Sequence, residues 1–226
     1  NLLGIPGDRV MGRDVPPWKD EIDLEVLSID TVGNPFTEVA FFHRATKSLI
    51  VTDSVVRIPS EPLEIISPDL LLESAPDDPA DIGKVPDTPQ NRRAGWAKTC
   101  LLVSYFGPGN NKLVDGTKLA WEPGYKASFK AIADKLIVSP VLRFLVFSKS
   151  PAKTRQWVDK LAGWNFKYII PAHYAAPIKA SGLDLKTAFS FVYEGLPEGL
   201  LYKALDRVKL PEEDLKTLES LNQILL

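Results

Sequence analysis

Two side chains in this 226-residue sequence stand where hydrolytic chemistry could use them. Asp53 closes the run Leu49-Ile50-Val51-Thr52-Asp53, and His173 closes Ile169-Ile170-Pro171-Ala172-His173. Each follows a short apolar segment of the kind that forms a strand. A carboxylate and an imidazole at strand ends can face a cleft while the strands behind hold them rigid, as a metal-activated water requires. One of them also has a plainer reading. Asp53 could cap its own turn through the backbone N–H of Ser54 or Val55, and the local sequence favours that cap. His173, in a turn beside Pro171, is better placed as a ligand. The other histidine, His43, sits where a strand meets its hairpin turn and reads as structural. Two imidazoles are too few for a self-contained binuclear zinc centre.

Other enzyme templates are missing from the sequence: no phosphate-cradling G-x-x-x-x-G-K-[ST], no G-x-G-x-x-G after a strand and no G-x-S-x-G elbow. The single cysteine, Cys100, falls on an apolar helix face and reads as core; alone it excludes an internal disulfide and a Cys-rich zinc site, and it fits a reducing compartment. No catalytic and no cofactor-binding residue is assigned. If the Asp53 and His173 site is retained, zinc or iron is the expected metal.

The elements that must position these residues begin with Thr37–Asp53, TEVAFFHRATKSLIVTD. Val39 and Phe41 alternate with Glu38, Ala40 and Phe42, Arg44-Ala45-Thr46-Lys47 makes the polar connection, and Leu49-Ile50-Val51 is the second strand. Leu24–Ile29 is a further strand, joined to the hairpin by a turn at Gly33-Asn34-Pro35. Asn1–Pro17 reads as a Gly- and Pro-rich loop. Residues 61–88 carry Glu61, Glu64, Asp69, Glu73, Asp77, Asp78, Asp81 and Asp87 against one base, Lys84, and read as a long solvated loop, with docking of a basic partner as the weaker alternative. Leu70-Leu71-Leu72 is its expected anchor.

Helices are expected from Gln90 to Gly107, from Ser128 through Ile137, from Pro151 to Gly163 behind Ser150 as N-cap, from Asp184 through Val192 and from Pro211 to Ile224. The last carries a stripe of Leu215, Leu218, Leu221 and Ile224. Pro140 should break or kink the second of these before Val141–Phe147. Trp157, Trp164, Phe166 and Tyr168 suggest helix-to-strand packing. Pro140–Phe147, with Arg143 among apolar residues, reads as core rather than as a membrane or partner contact.

An apolar fraction of 45% and a charged fraction of 25% are those of a globular protein. The net charge of −2 gives no basic face for nucleic acid. No apolar run approaches the roughly 18 residues of a membrane span, although peripheral contact stays open.

The order of these features resembles the C-terminal half of the metallo-β-lactamase superfamily. LIVTD matches the strand that ends in a metal-bridging acid, Asp53, and IIPAH matches the strand that ends in the last ligand, His173. Val32-Gly33-Asn34-Pro35 stands where a Gly-His turn is expected, so Asn34 replaces a ligand, and the His-x-His-x-Asp-His loop is not in the sequence. More narrowly, PWKDEI, EVAFFHRATKSLIVTD and WNFKYIIPAHYAAPI are similar to an uncharacterised domain-of-unknown-function family of cyanobacteria and of plant and algal plastids. This resemblance implies an α/β fold, an αββα sandwich over residues 1–210 with a C-terminal helix at 211–226, and a transit peptide and first half-domain before Asn1. It implies a degenerate, non-catalytic protein in the chloroplast (stroma or thylakoid-associated) or the cyanobacterial cytoplasm. There it would be an accessory, assembly or scaffold subunit with a protein partner. The alternative is a metal-dependent hydrolase using Asp53, His173 and ligands upstream of Asn1.

Overall fold

The computed structural model describes residues 15–224, apart from 32, 106, 115 and 117. In chain order the elements are β1 (Ile22–Ile29), β2 (Phe36–His43), β3 (Ser48–Ile50), β4 (Val56–Arg57), α1 (Pro68–Glu73) and α2 (Pro89–Tyr105). They continue with β5 (Asn111–Val114), β6 (Lys118–Trp121), α3 (Tyr125–Ile132), β7 (Leu136–Ile137), α4 (Pro140–Leu145) and α5 (Pro151–Ala162). The chain closes with β8 (Tyr168–Ile170), β9 (Ile178–Lys179), α6 (Gly182–Ala188), α7 (Gly199–Leu205) and α8 (Glu212–Ile224). The fold class is mixed α/β, as expected.

The main sheet has the order β1-β2-β3-β8-β9. β1, β2 and β3 form an antiparallel meander, and its second turn is closed by Lys47 in the left-handed region at φ 53°. β8 then joins β3 in parallel, with Ser48, Leu49 and Ile50 opposite Tyr168, Ile169 and Ile170. A parallel neighbour demands a long crossover, and here everything from β4 to α5 supplies it. β4 pairs with β7, and β5 with β6, in two further small sheets.

Apolar burial falls into two clusters. One lies between the sheet and α5–α6, built on Leu27, Ala40, Leu49, Trp157, Ile169 and Phe189. The expected helix-to-strand aromatics are part of it: Trp157 and Phe166 are buried and Trp164 stacks on Phe42, while Tyr168 is exposed at the surface. The second cluster surrounds α2 and includes Val56, Leu101, Tyr105, Ile132 and Leu218. Of the predicted C-terminal stripe, Leu218 is fully buried. Cys100 is buried beside it, in keeping with a core role.

Several local expectations change. Leu136 and Ile137 are not helical: α3 ends at Ile132, Asp134 turns the chain at φ 56°, and the two residues form β7 instead. Their apolar spacing suits either period, and pairing with β4 decides it. Pro140 does not end that helix but opens α4. Arg143 sits over the Phe191 ring at 4.9 Å, so its side chain is packed into the fold. Ser150 precedes Pro151 at the start of α5 as predicted, but its side chain makes no cap bond. The helix expected from Asp184 ends at Ala188 and tightens into a 3₁₀ turn at Ser190–Tyr193. The loop reading of Asn1–Pro17 falls mostly outside the described residues.

The acidic segment 61–88 is also more than a solvated loop. It contains α1, whose Leu71 is buried while Leu70 is exposed. It is fastened by Lys98 from α2, whose side chain is fully buried and whose Nζ donates to Pro76 O at 2.7 Å, to Ala75 O and to Asp77 Oδ1 at 2.7 Å. Burial lowers the Lys98 pKa, and Asp77 opposes that shift. A basic residue outside the segment, invisible to a local charge count, neutralises part of it. The α1–α2 contact is closest at Gly95, where a Cβ would lie 1.8 Å from Leu71 O. Gly95→Ala must therefore push α1 away, and should lower stability by about 1–3 kcal/mol. The shift should show in the urea midpoint with an unchanged slope.

Candidate functional site

The parallel register of the sheet builds the site. Ile50 lies opposite Ile170, and Asp53 and His173 each follow three residues later, so the two chains leave the sheet side by side. The strand ends stay tied, since Val51 N donates to Ile170 O at 3.0 Å and Ala172 N donates to Thr52 O at 3.2 Å. Residues 120 apart in sequence thus meet, with His173 Nε2 at 3.0 Å from Asp53 Oδ1. Neither is buried: the side chains are 61% and 46% exposed. When Asp53 takes the Nε2–H, the neutral imidazole keeps its Nδ1 lone pair as an acceptor.

The predicted cap at Asp53 is not how its turn is held. The turn is gripped from below by a residue the sequence reading passed over, Glu38 on β2. Glu38 is fully buried, and its carboxylate accepts from Thr52 N at 2.7 Å and from Asp53 N at 3.1 Å. Burial raises its pKa above the ordinary glutamate value, against the two N–H donors, which hold it down. The signal was present: Glu38 shares the buried face of β2 with Ala40 and Phe42, while Val39 and Phe41 face the less buried side. A charged residue in register with a core face is unusual unless it has partners.

Asp53 and His173 stand at the mouth of a groove of about 580 Å³. Trp96, Cys100 and Val103 of α2 form one wall, Val141 and Leu142 of α4 another, and Leu63 and Ile66 a third. Tyr174, next to His173 and in the left-handed region at φ 66°, reaches inside, packs edge-on against Trp96 at 5.9 Å and bonds with Ser104 and Cys100. Burial pushes both the Cys100 thiol and the Tyr174 phenol well above their ordinary values, so neither supplies a nucleophile. Trp96 Nε1 is satisfied by Pro59 O at 2.7 Å. The lining is thus mainly apolar, with Tyr174, Ser104, Cys100 and Trp96 paired and the hydroxyls of Thr99 and Ser139 beside them.

Among the described residues, no group of three or more His, Cys, Asp or Glu converges as a metal site would need. The Glu38 carboxylate reaches the Asp53 backbone, but its oxygens are engaged by backbone N–H groups. His43 bonds through Nδ1 to Thr46 Oγ1 at 2.8 Å inside its own hairpin. Asn34 lies in the exposed β1–β2 turn, where its carbonyl accepts from Thr31, and it does not line the groove. A second cavity, about 570 Å³ between the acidic segment and α2–α3, carries charges of both signs and is open to water.

A family model described as "Domain of unknown function (DUF4336)" matches residues 2–191. No curated protein and no solved structure matches. The expected domain of unknown function is therefore found. The expected metallo-β-lactamase likeness is corrected: the family found over residues 2–191 is the domain of unknown function, and nothing shows that superfamily.

Two measurements follow from this geometry. Asp53→Ala and His173→Ala should each change unfolding free energy by less than about 1 kcal/mol, because the pair is exposed and screened; urea titration checks it. In Glu38→Gln one of the two N–H groups loses its acceptor, a cost of about 1–3 kcal/mol. A carboxyl whose native pKa is raised contributes fully below its unfolded value and loses that contribution as pH rises through the native one. The wild-type advantage over Glu38→Gln should therefore shrink from about pH 4 upward, read from urea midpoints across pH.

Proposed function

The chain belongs to the DUF4336 family, and we propose that it is a binding protein, an accessory or assembly subunit of a larger plastid or cyanobacterial complex, rather than a self-contained hydrolase. The observation that supports this reading is the groove: a concave apolar site of a size that accepts small ligands, with one hydrogen-bonding pair at its mouth. The described residues offer an orienting Asp–His pair but neither an activated nucleophile nor a set of ligands beside it. The setting in a chloroplast or cyanobacterial cytoplasm is part of the same proposal. No helix among the described residues is long and apolar enough to cross a membrane.

A second reading has its own observation. A separation of 3.0 Å between Nε2 and Oδ1 suits two adjacent ligands of one octahedral ion, which stand roughly 3.0 Å apart. Tetrahedral zinc would separate them by roughly 3.4 Å. Asp53 and His173 would then hold iron, or zinc in six-coordination, together with donors beyond the described residues, and the ion would supply a Lewis acid for hydrolysis.

Native mass spectrometry and elemental analysis of the protein isolated from its own cells separate the two. The binding reading expects a copurifying molecule or partner that Val103→Trp displaces, with metal well below one equivalent. About one equivalent of metal, lost in His173→Ala and untouched by Val103→Trp, would overturn it in favour of the hydrolase.

A further inference from the structure

We propose that the groove binds a single-chain amphiphile with an uncharged hydroxyl head, such as a long-chain alcohol or a monoacylglycerol. This inference rests on the binding reading and names its ligand class. The argument has two parts, one for each end of the molecule.

The body must be apolar. Trp96, Val141, Leu142, Leu63 and Ile66 give the walls, and the interior polar atoms of Tyr174, Ser104 and Cys100 bond with one another, so apart from the hydroxyls of Thr99 and Ser139 a polar body would lose water with few replacement partners. About 580 Å³ is within the range of small-molecule sites.

The head must donate a hydrogen bond and carry no negative charge. At the mouth, Asp53 Oδ2 and His173 Nδ1 are both acceptors once Nε2–H is given to Oδ1. Among the described residues no lysine or arginine lines the groove, so a carboxylate head would meet the Asp53 charge with no permanent cation to offset it. A hydroxyl satisfies one acceptor at no such cost. A fatty acid is therefore disfavoured by the same groove that suits its alcohol.

The test is calorimetric titration of the full chain with decanol and with decanoate, at equal chain length and neutral pH. Decanol should bind at least about tenfold more tightly. Asp53→Asn keeps an acceptor but removes the charge, and should narrow that preference by strengthening decanoate. Val103→Trp, at a position 60% exposed and so tolerant of a larger side chain, should abolish binding of both while leaving the fold intact by circular dichroism. Decanoate equal to or tighter than decanol would overturn the head-group assignment, as would an unchanged preference in Asp53→Asn. If neither amphiphile binds while Val103→Trp still strips a copurifying molecule from the native protein, the ligand class falls and the binding reading stands. If Val103→Trp alters neither, both fall.

Discussion

The pairing of Ile50 with Ile170 is the constraint on which the site depends. It joins a strand from the first quarter of the chain to one from the last third, side by side and in the same direction, so that both chains emerge at one edge of the sheet. A shift of one residue would turn every side chain of the slipped strand to the opposite face. Leu49 and Ile169, both fully buried, would then be exposed, and that penalty fixes the register. The meeting of Asp53 and His173 is a by-product of core packing, which is why an exposed pair can be accurately placed without contributing much stability of its own.

Two buried charges reinforce this frame from opposite sides. Glu38 holds the turn after β3 through two backbone N–H groups, and Lys98 holds the acidic segment through two backbone carbonyls and Asp77. In both cases a side chain pays desolvation to satisfy main-chain groups that no regular element could pair. Such an arrangement is unforgiving, because removing one partner strands the others in a low-dielectric surrounding. Glu38 thereby fixes the turn that carries Asp53 to the groove, which lies between α2, α4 and the segment that follows β4, while the stretch held by Lys98 lines the second cavity.

That placement explains why the groove suits binding. Its lining is largely the second apolar cluster itself, with Val56, Trp96 and Cys100 in that cluster and Leu63, Ile66 and Tyr174 packed against it, and the inward polar atoms of Tyr174, Ser104 and Cys100 bond with one another. What remains for a ligand is shape, apolar surface and one oriented pair of acceptors at the entrance. A catalytic site normally shows the reverse, with unpaired polar groups aimed inward and titrating near neutrality. Here the inward groups, Cys100 and Tyr174, are pushed further from neutrality by burial.

The sequence by itself determined the meander, the strand after α5 and most helices, because each is written in local periodicity and turn chemistry: the alternation of β2, Pro151 opening α5, the Gly-rich stop after α2. It also singled out Asp53 and His173 from their strand-end positions. It could not determine that the two meet, since parallel pairing across some 120 residues leaves no local trace. Nor could it show Glu38 and Lys98 as anchors, because a charged residue looks solvated until the partners that justify its burial are known. Leu136 and Ile137 show the same limit in the backbone: an apolar pair fits a helix or a strand, and only β4, arriving from far away, made it a strand. The groove belongs wholly to the tertiary structure, for its walls come from segments that share no sequence neighbourhood and become a site only when packing has closed three sides around the space between them.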